Sequence, residues 1–391
     1  AIYADATGRY ATITLTIGNN GHFVNNTAAV SRTGYGGAIY AYVSGFASKI
    51  TFTVADNAQF MNNTAAVSQI GYGGAIEAYG NGEYSTITLT IEDNAQFVGN
   101  IAAVSGNGQG GMIYALAPAH SSTITLTIGD YAQFVSNIAA ESGNGRGGVI
   151  YAEAYGQPSF ITLTLGDHAQ FVNNTAAVSG EGGAMWALAQ ADTLFQLSIG
   201  KNASFFHNSA ADGGIGFLSS SLSNRFAVAI GASAKFISDR ESGFRVTISN
   251  SRESSFDIGE NSTIENYRSF LSASLFQQSV FEINISDAAS VNCENCITVE
   301  SFDSSTMQLS IVNSRFAGIV NYALSVLGVS AGKLADSMHI NIVSSSFVGT
   351  SGASAILGTA SNAGNVSIRA VDCDFASFSS ESDGGAIQVI A

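Results

Sequence analysis

The chain has 391 residues, 11% of them charged, and a formal net charge of −15. It holds no run of about 18 apolar residues, which excludes a helical membrane span, and its acidity argues against nucleic acid or an anionic membrane as partner. The length exceeds one ordinary core unless stacked repeats share the burial, and Gly 43 against Pro 2 fits many tight bends and few broken strands.

The first half is a repeat. Phe23, Phe60, Phe97, Phe134 and Phe171 fall 37 residues apart, a strict period that reads as a solenoid. Each copy begins with an alternating run such as Ile87-Thr88-Leu89-Thr90-Ile91. A period of two with β-branched residues predicts a strand with one buried face. A turn follows, then a second strand carrying Phe and, three positions on, Asn26, Asn63, Asn100, Asn137 or Asn174. An asparagine recurring in stacked turns can hydrogen-bond to its copies as an internal ladder. The third strand is the Gly-Gly-Ala-Ile stretch, whose glycines suit a sharp corner or a positive φ. Successive copies share direction and chemistry, so the turns stack in parallel.

After Phe171 the slots shorten. Phe205, Phe236, Ile264, Val291, Phe316, Phe347 and Phe375 continue the series at intervals of 34, 31, 28, 27, 25, 31 and 28. The expected fold is all-β, a parallel β-helix with three sheets and about 12 turns. It reads as one continuous domain over 1–391, regular over 1–190 and irregular over 191–391. Both ends fall inside copies of the repeat, with Gly384-Gly385 opening a last one, so the expectation is a segment of a longer polypeptide.

Several residue sets stand out. Asp56, Asp93, Asp130 and Asp167 recur at the first turn and should stack about 5 Å apart; ordinary turn chemistry explains them, and a weak Ca²⁺ array is the alternative. Asn25, Asn62 and Asn173 begin N-x-[ST] sequences beside the ladder asparagines and should point outward, which makes them glycan candidates in a eukaryotic host. In the third strand the slot after the buried Ile holds Tyr40, Glu77, Tyr114, Tyr151 and Trp186, and two residues on lie Tyr42 and Tyr79. Read as outward, with Glu77 supporting exposure, they form an aromatic stripe and a candidate interface; the competing reading has flanking loops fold over it. Cys293 and Cys296 read as small buried residues or one local disulfide. Outward Thr pairs such as Thr88/Thr90 leave an ice-binding face as a minor alternative.

The paired GGAI and FxxN tetrapeptides resemble the polymorphic outer membrane protein (Pmp) repeats of chlamydial autotransporters. Phe171-Val172-Asn173-Asn174, followed by Gly182-Gly183-Ala184-Met185, is a close instance, and the pattern covers residues 1 to about 216. The resemblance implies a right-handed β-helix exported to a cell surface, with adhesion or surface structure as its task. Few cysteines and longer, more uniform copies depart from the chlamydial pattern. Parallel β-helices include pectin-degrading enzymes, but Asp212 and Asp383 have no companion His, Arg or Lys set in neighbouring turns, so no enzyme activity and no cofactor is expected. The expectation is an extracellular adhesin passenger or filament subunit, with a protein surface or a glycan as partner and a carbohydrate-active β-helix as the alternative.

Overall fold

The computed structural model describes residues 1–190, 193–221, 225–238, 242–287, 290–302, 305–319, 322–329, 337–349, 353–360, 365–378 and 386–390. The last glycine pair, Gly384-Gly385, and Asp383 lie outside them. The described residues contain strands and turns but no helix, and every strand pairing is parallel. This is a right-handed parallel β-helix. Among the described residues no helix is long and apolar enough to cross a membrane. Two compact units divide the chain, Ala1–Ser219 and Ser220–Ala391.

In the first unit the strands Thr12–Ile17, Lys49–Val54, Thr86–Ile91, Thr123–Ile128 and Phe160–Leu165 pair with no slip between copies. Leu15 meets Phe52, then Leu89, Leu126 and Leu163. Their apolar side chains turn inward and the threonines between them outward, as a period of two requires. A strand shifted by one residue would expose that apolar set, so the buried face fixes the register.

Inside, two columns run through consecutive turns. Phe23, Phe60, Phe97, Phe134, Phe171 and Phe205 stack with ring centroids 4.6–5.3 Å apart. Beside them the asparagines form the expected ladder. Asn100 Nδ2 donates to Asn137 Oδ1 at 2.9 Å and to the Phe60 carbonyl at 2.9 Å. The Asn100 backbone N–H reaches the same Asn137 oxygen at 3.0 Å. The pattern repeats from Asn63 to Asn208, and Asn63, Asn100, Asn137 and Asn174 are fully buried.

Two further strands per repeat, absent from the three-strand reading, complete the first unit. Thr27–Ala29, Thr64–Ala66, Ile101–Ser105 and Ile138–Ser142 form one small sheet. Gly34–Tyr35, Gly71–Tyr72, Gly108–Gln109 and Gly145–Arg146 form another. The chain leaves the second strand through a residue of positive φ (Asn25, Asn62 and Asn173 among them), runs through the first small sheet and folds back as the second. The fold-back is tight: a Cβ on Gly71 would lie 1.7 Å from the Ala102 carbonyl oxygen. Only glycine allows that approach. The first glycine of the next corner, such as Gly110 at φ 64°, has the left-handed backbone its sequence motif suggests.

The second unit keeps the slots and loses the fold-back. Phe236 pairs with Ile264, then Val291, Phe316, Phe347 and Phe375 follow in register. Thr263–Phe276 and Ser290–Phe302 run from the second slot straight into the third. Serine hydroxyls take over cross-turn bonding, as where the Ser314 N–H donates to Ser345 Oγ at 3.1 Å. Cys373 has the same kind of place, with its thiol on the Val371 carbonyl as Ser345 is on that of Val343. Cys293 and Cys296 are buried and form a local disulfide.

Replacing Asn100 by Leu leaves donors and acceptors on Asn63, Phe60 and Asn137 without partners inside the helix. The expected loss is about 1–3 kcal/mol in equilibrium denaturation, while Asn62→Gly one position away, exposed and at positive φ, changes stability by less than about 0.5 kcal/mol.

Candidate functional site

The aromatic stripe exists in register, but its Tyr114, Tyr151 and Trp186 stretch is not on the surface. Tyr40 pairs with Glu77, then Tyr114, Tyr151 and Trp186 follow in consecutive turns. Tyr114 and Tyr151 stack at 4.9 Å and Tyr151 and Trp186 at 4.4 Å. All three are buried, at 5%, 1% and 3% exposure. Tyr40, Tyr42 and Tyr79 are half-buried. The expected free interface is therefore corrected for Tyr114, Tyr151 and Trp186, which the folded-back strands cover. Tyr72 lies on Tyr114 at 4.8 Å. Farther along, the Arg146 guanidinium sits 5.0 Å over the Trp186 ring. Glu181 joins the two, accepting the indole N–H at 3.0 Å and pairing with Arg146 Nε at 3.2 Å. The alternation placed the rings on the outer side of their strand correctly; loop composition carries no sign that the loop returns over them.

Glu77 is corrected in the same way. It is 1% exposed, so it gives no evidence of a solvent face. Burial holds its carboxyl well above the usual carboxylate range. Glu153, two positions past Tyr151, is also buried and accepts hydrogen bonds from the Tyr151 and Tyr155 hydroxyls. Burial, followed by the charge of Glu153 and that hydrogen bond, pushes the Tyr151 hydroxyl up.

The aspartates do form a column. The backbone N–H of Asp93 donates to the Asp56 carboxylate at 3.1 Å, Asp130 to Asp93 at 2.8 Å, Asp167 to Asp130 at 2.7 Å, and Lys201 to Asp167 at 2.7 Å. Each carboxylate thus holds the corner of the next turn, which is turn chemistry passed from repeat to repeat. Among the described residues no group of three or more His, Cys, Asp or Glu has the geometry to hold a metal ion. Asn25, Asn62 and Asn173 are exposed, each at a corner of positive φ.

Two clefts escape sequence reasoning because their linings come from different turns. One, of about 370 Å³, lies on the cover and is lined by Asn107, Gln109, Asn144, Arg146, Ser179 and Glu181 with Gly108 and Gly145 between them. The other, of about 390 Å³ in the second unit, is lined by Arg225, Arg252, Glu253 and Glu282 among others. The first is rich in amide, hydroxyl and guanidinium groups, the chemistry that recognises hydroxyl-rich ligands.

The model of the Chlamydia polymorphic membrane protein repeat matches residues 20–42. That stretch contains one complete pair of motifs, Phe23 to Asn26 and Gly36-Gly37-Ala38-Ile39, and the structure stacks its copies in register. The chain is a parallel β-helix that carries a repeat similar to that of the Chlamydia polymorphic membrane proteins. No curated protein and no solved structure matches it. In this helix the two tetrapeptides have separate tasks. FxxN supplies both internal columns, and GGAI turns the corner from the cover into the third strand.

Changing Tyr114, Tyr151 and Trp186 together to Ser removes a buried stack, at about 3–5 kcal/mol per ring. Loss of the cooperative thermal transition is expected, rather than a folded protein with a blank surface. Glu181→Ala should leave the fold intact and loosen the cover locally. Emission from Trp186, the one tryptophan, should then shift to longer wavelength and be quenched more by acrylamide. For the aspartate column, thermal midpoints in millimolar Ca²⁺ and in chelator should coincide.

Proposed function

We propose that this chain is a non-enzymatic extracellular β-solenoid displayed at a cell surface, where it acts as an adhesive module that takes a glycan. The matched repeat belongs by name to a membrane protein of Chlamydia, which supports a surface association. The observation that carries the adhesive reading is the distribution of chemistry between inside and outside. Internal contacts use up the aromatic stripe, the asparagines and the backbone of each corner. What faces outward in the first unit includes periodic polar rows, the threonines of the first strand, the corner Asn and Asp and the amide-lined cleft on the cover, beside exposed rings such as Tyr10, Tyr84 and Tyr131. Polar rows beside exposed rings suit a hydroxyl-rich chain, which takes hydrogen bonds from the first and stacks on the second. Filament assembly through the aromatic stripe loses support, because Tyr114, Tyr151 and Trp186 are covered.

Purified protein should appear as monomers in negative stain. On an array of neutral and acidic glycans it should bind a subset, and Gln109→Ala with Asn144→Ala should weaken that binding at least tenfold without moving the thermal midpoint. Fibres in negative stain would favour the filament reading. Binding unchanged by the double substitution would move the site away from the cover cleft.

A further inference from the structure

Two acidic side chains lie beneath the cover of the first unit, and the structure treats them differently. Glu153 has two tyrosine hydroxyls donating to it. Glu77 has none: it is 1% exposed, and its Oε2 accepts no hydrogen bond. It occupies the slot that Tyr40 and Tyr114 fill in the turns on either side. The groups close enough to interact with it are the phenols of Tyr40, Tyr72, Tyr79 and Tyr114. Among the described residues no Lys, Arg or His forms an ion pair with it.

An ionised carboxylate in this position loses its hydration and gains neither a counter-charge nor a donor, which is costly. The neutral acid avoids most of that cost. Burial therefore raises the Glu77 carboxyl, and it raises all four phenols as well, so the carboxyl alone titrates while they stay neutral. The element nearest to yielding is the cover. Gly71–Tyr72 is a two-residue strand, tied to the next turn by the Gly71 N–H on the Asn107 carbonyl at 3.0 Å and the Gly73 N–H on the Gln109 carbonyl at 2.9 Å. The inner strands are held by the phenylalanine and asparagine columns. Local opening follows the weakest contacts first.

We propose that Glu77 is a proton-operated latch on the cover: protonated, it lets the Gly71–Tyr72 strand close over the tyrosines, and ionised, it drives that strand open to bring its carboxylate to water. Glu77 holds its proton more tightly with the cover closed than open. Closure is therefore at full strength below the ordinary glutamate value of 4.5. It weakens as pH rises from there towards the raised closed-state value, and levels off above it. Within that window each pH unit multiplies the ratio of open to closed cover by about ten. Opening lifts Tyr72 off Tyr114, so a ring hidden in acid becomes available at higher pH.

Native-state hydrogen exchange tests this, with rates corrected for the pH dependence of chemical exchange. In the wild-type chain, protection of the Gly71 and Gly73 amides should fall about tenfold per pH unit above the ordinary glutamate range and then level off. The Phe60 and Phe97 amides of the inner column should keep their protection throughout. Glu77→Gln should make the Gly71 and Gly73 protection independent of pH. Glu77→Tyr, which restores the residue of the neighbouring turns, should do the same and keeps the test available if the glutamine variant does not fold. Wild-type protection that is flat with pH overturns the latch. So does a pH dependence that survives in a folded variant, or one shared equally by the inner column.

Discussion

The amides of Asn63, Asn100, Asn137 and Asn174 are used to capacity: two donors go out to one turn's carbonyl and the next turn's side chain, and one oxygen accepts two donors in return. This works only if every turn presents the same residue at the same height. A missing copy would leave polar atoms unpartnered on both sides, in a place water does not reach. The phenylalanine column beside it imposes the same demand through ring stacking. Together they fix the parallel register, and the register sets everything outside: identical residues fall into columns whether or not the column is useful. The aspartates show how a column of like charges becomes tolerable, with each carboxylate taking a backbone N–H from the next corner.

Repeat length and surface chemistry are coupled. The 37-residue copies contain a fold-back that the shorter turns of the second unit lack. Where the fold-back is present, the outer slots of the third strand hold Tyr114, Tyr151 and Trp186. Where it is absent, the corresponding outward slots hold residues such as Arg245, Ser272 and Ser274, and Arg245 donates to both serines across the turn. An uncovered strand with a row of aromatic rings would invite association, so the longer repeat and the apolar stripe belong together. The cover in turn creates two features that no single repeat contains, the clasp of Arg146, Glu181 and Trp186 and the enclosed Glu77.

The slot series from Phe23 to Phe205 and from Phe236 to Phe375 is legible in the amino-acid sequence alone, even where Ile264 and Val291 replace the ring. The reason is physical: an in-register parallel stack repeats its buried side chains literally, so periodicity and alternation carry the register within them. The inward asparagines, the glycine corners and the exposed Asn25, Asn62 and Asn173 follow from the same repetition. The order of strands and the identity of the inner face are therefore properties of the amino-acid sequence.

What the tertiary structure decided is which outer surfaces stay outside. Alternation separates the two faces of a strand but does not say what lies over the second one. The segment between FxxN and GGAI is rich in Gly, Ser and polar residues and looks like a surface loop. Its return onto the third strand depends on the tight approach of Gly71 and its copies to the alanine strand of the next turn, a contact made across repeats. For that reason a glutamate that composition would place in water is buried, and a stripe of aromatic side chains that would mark an interface is core.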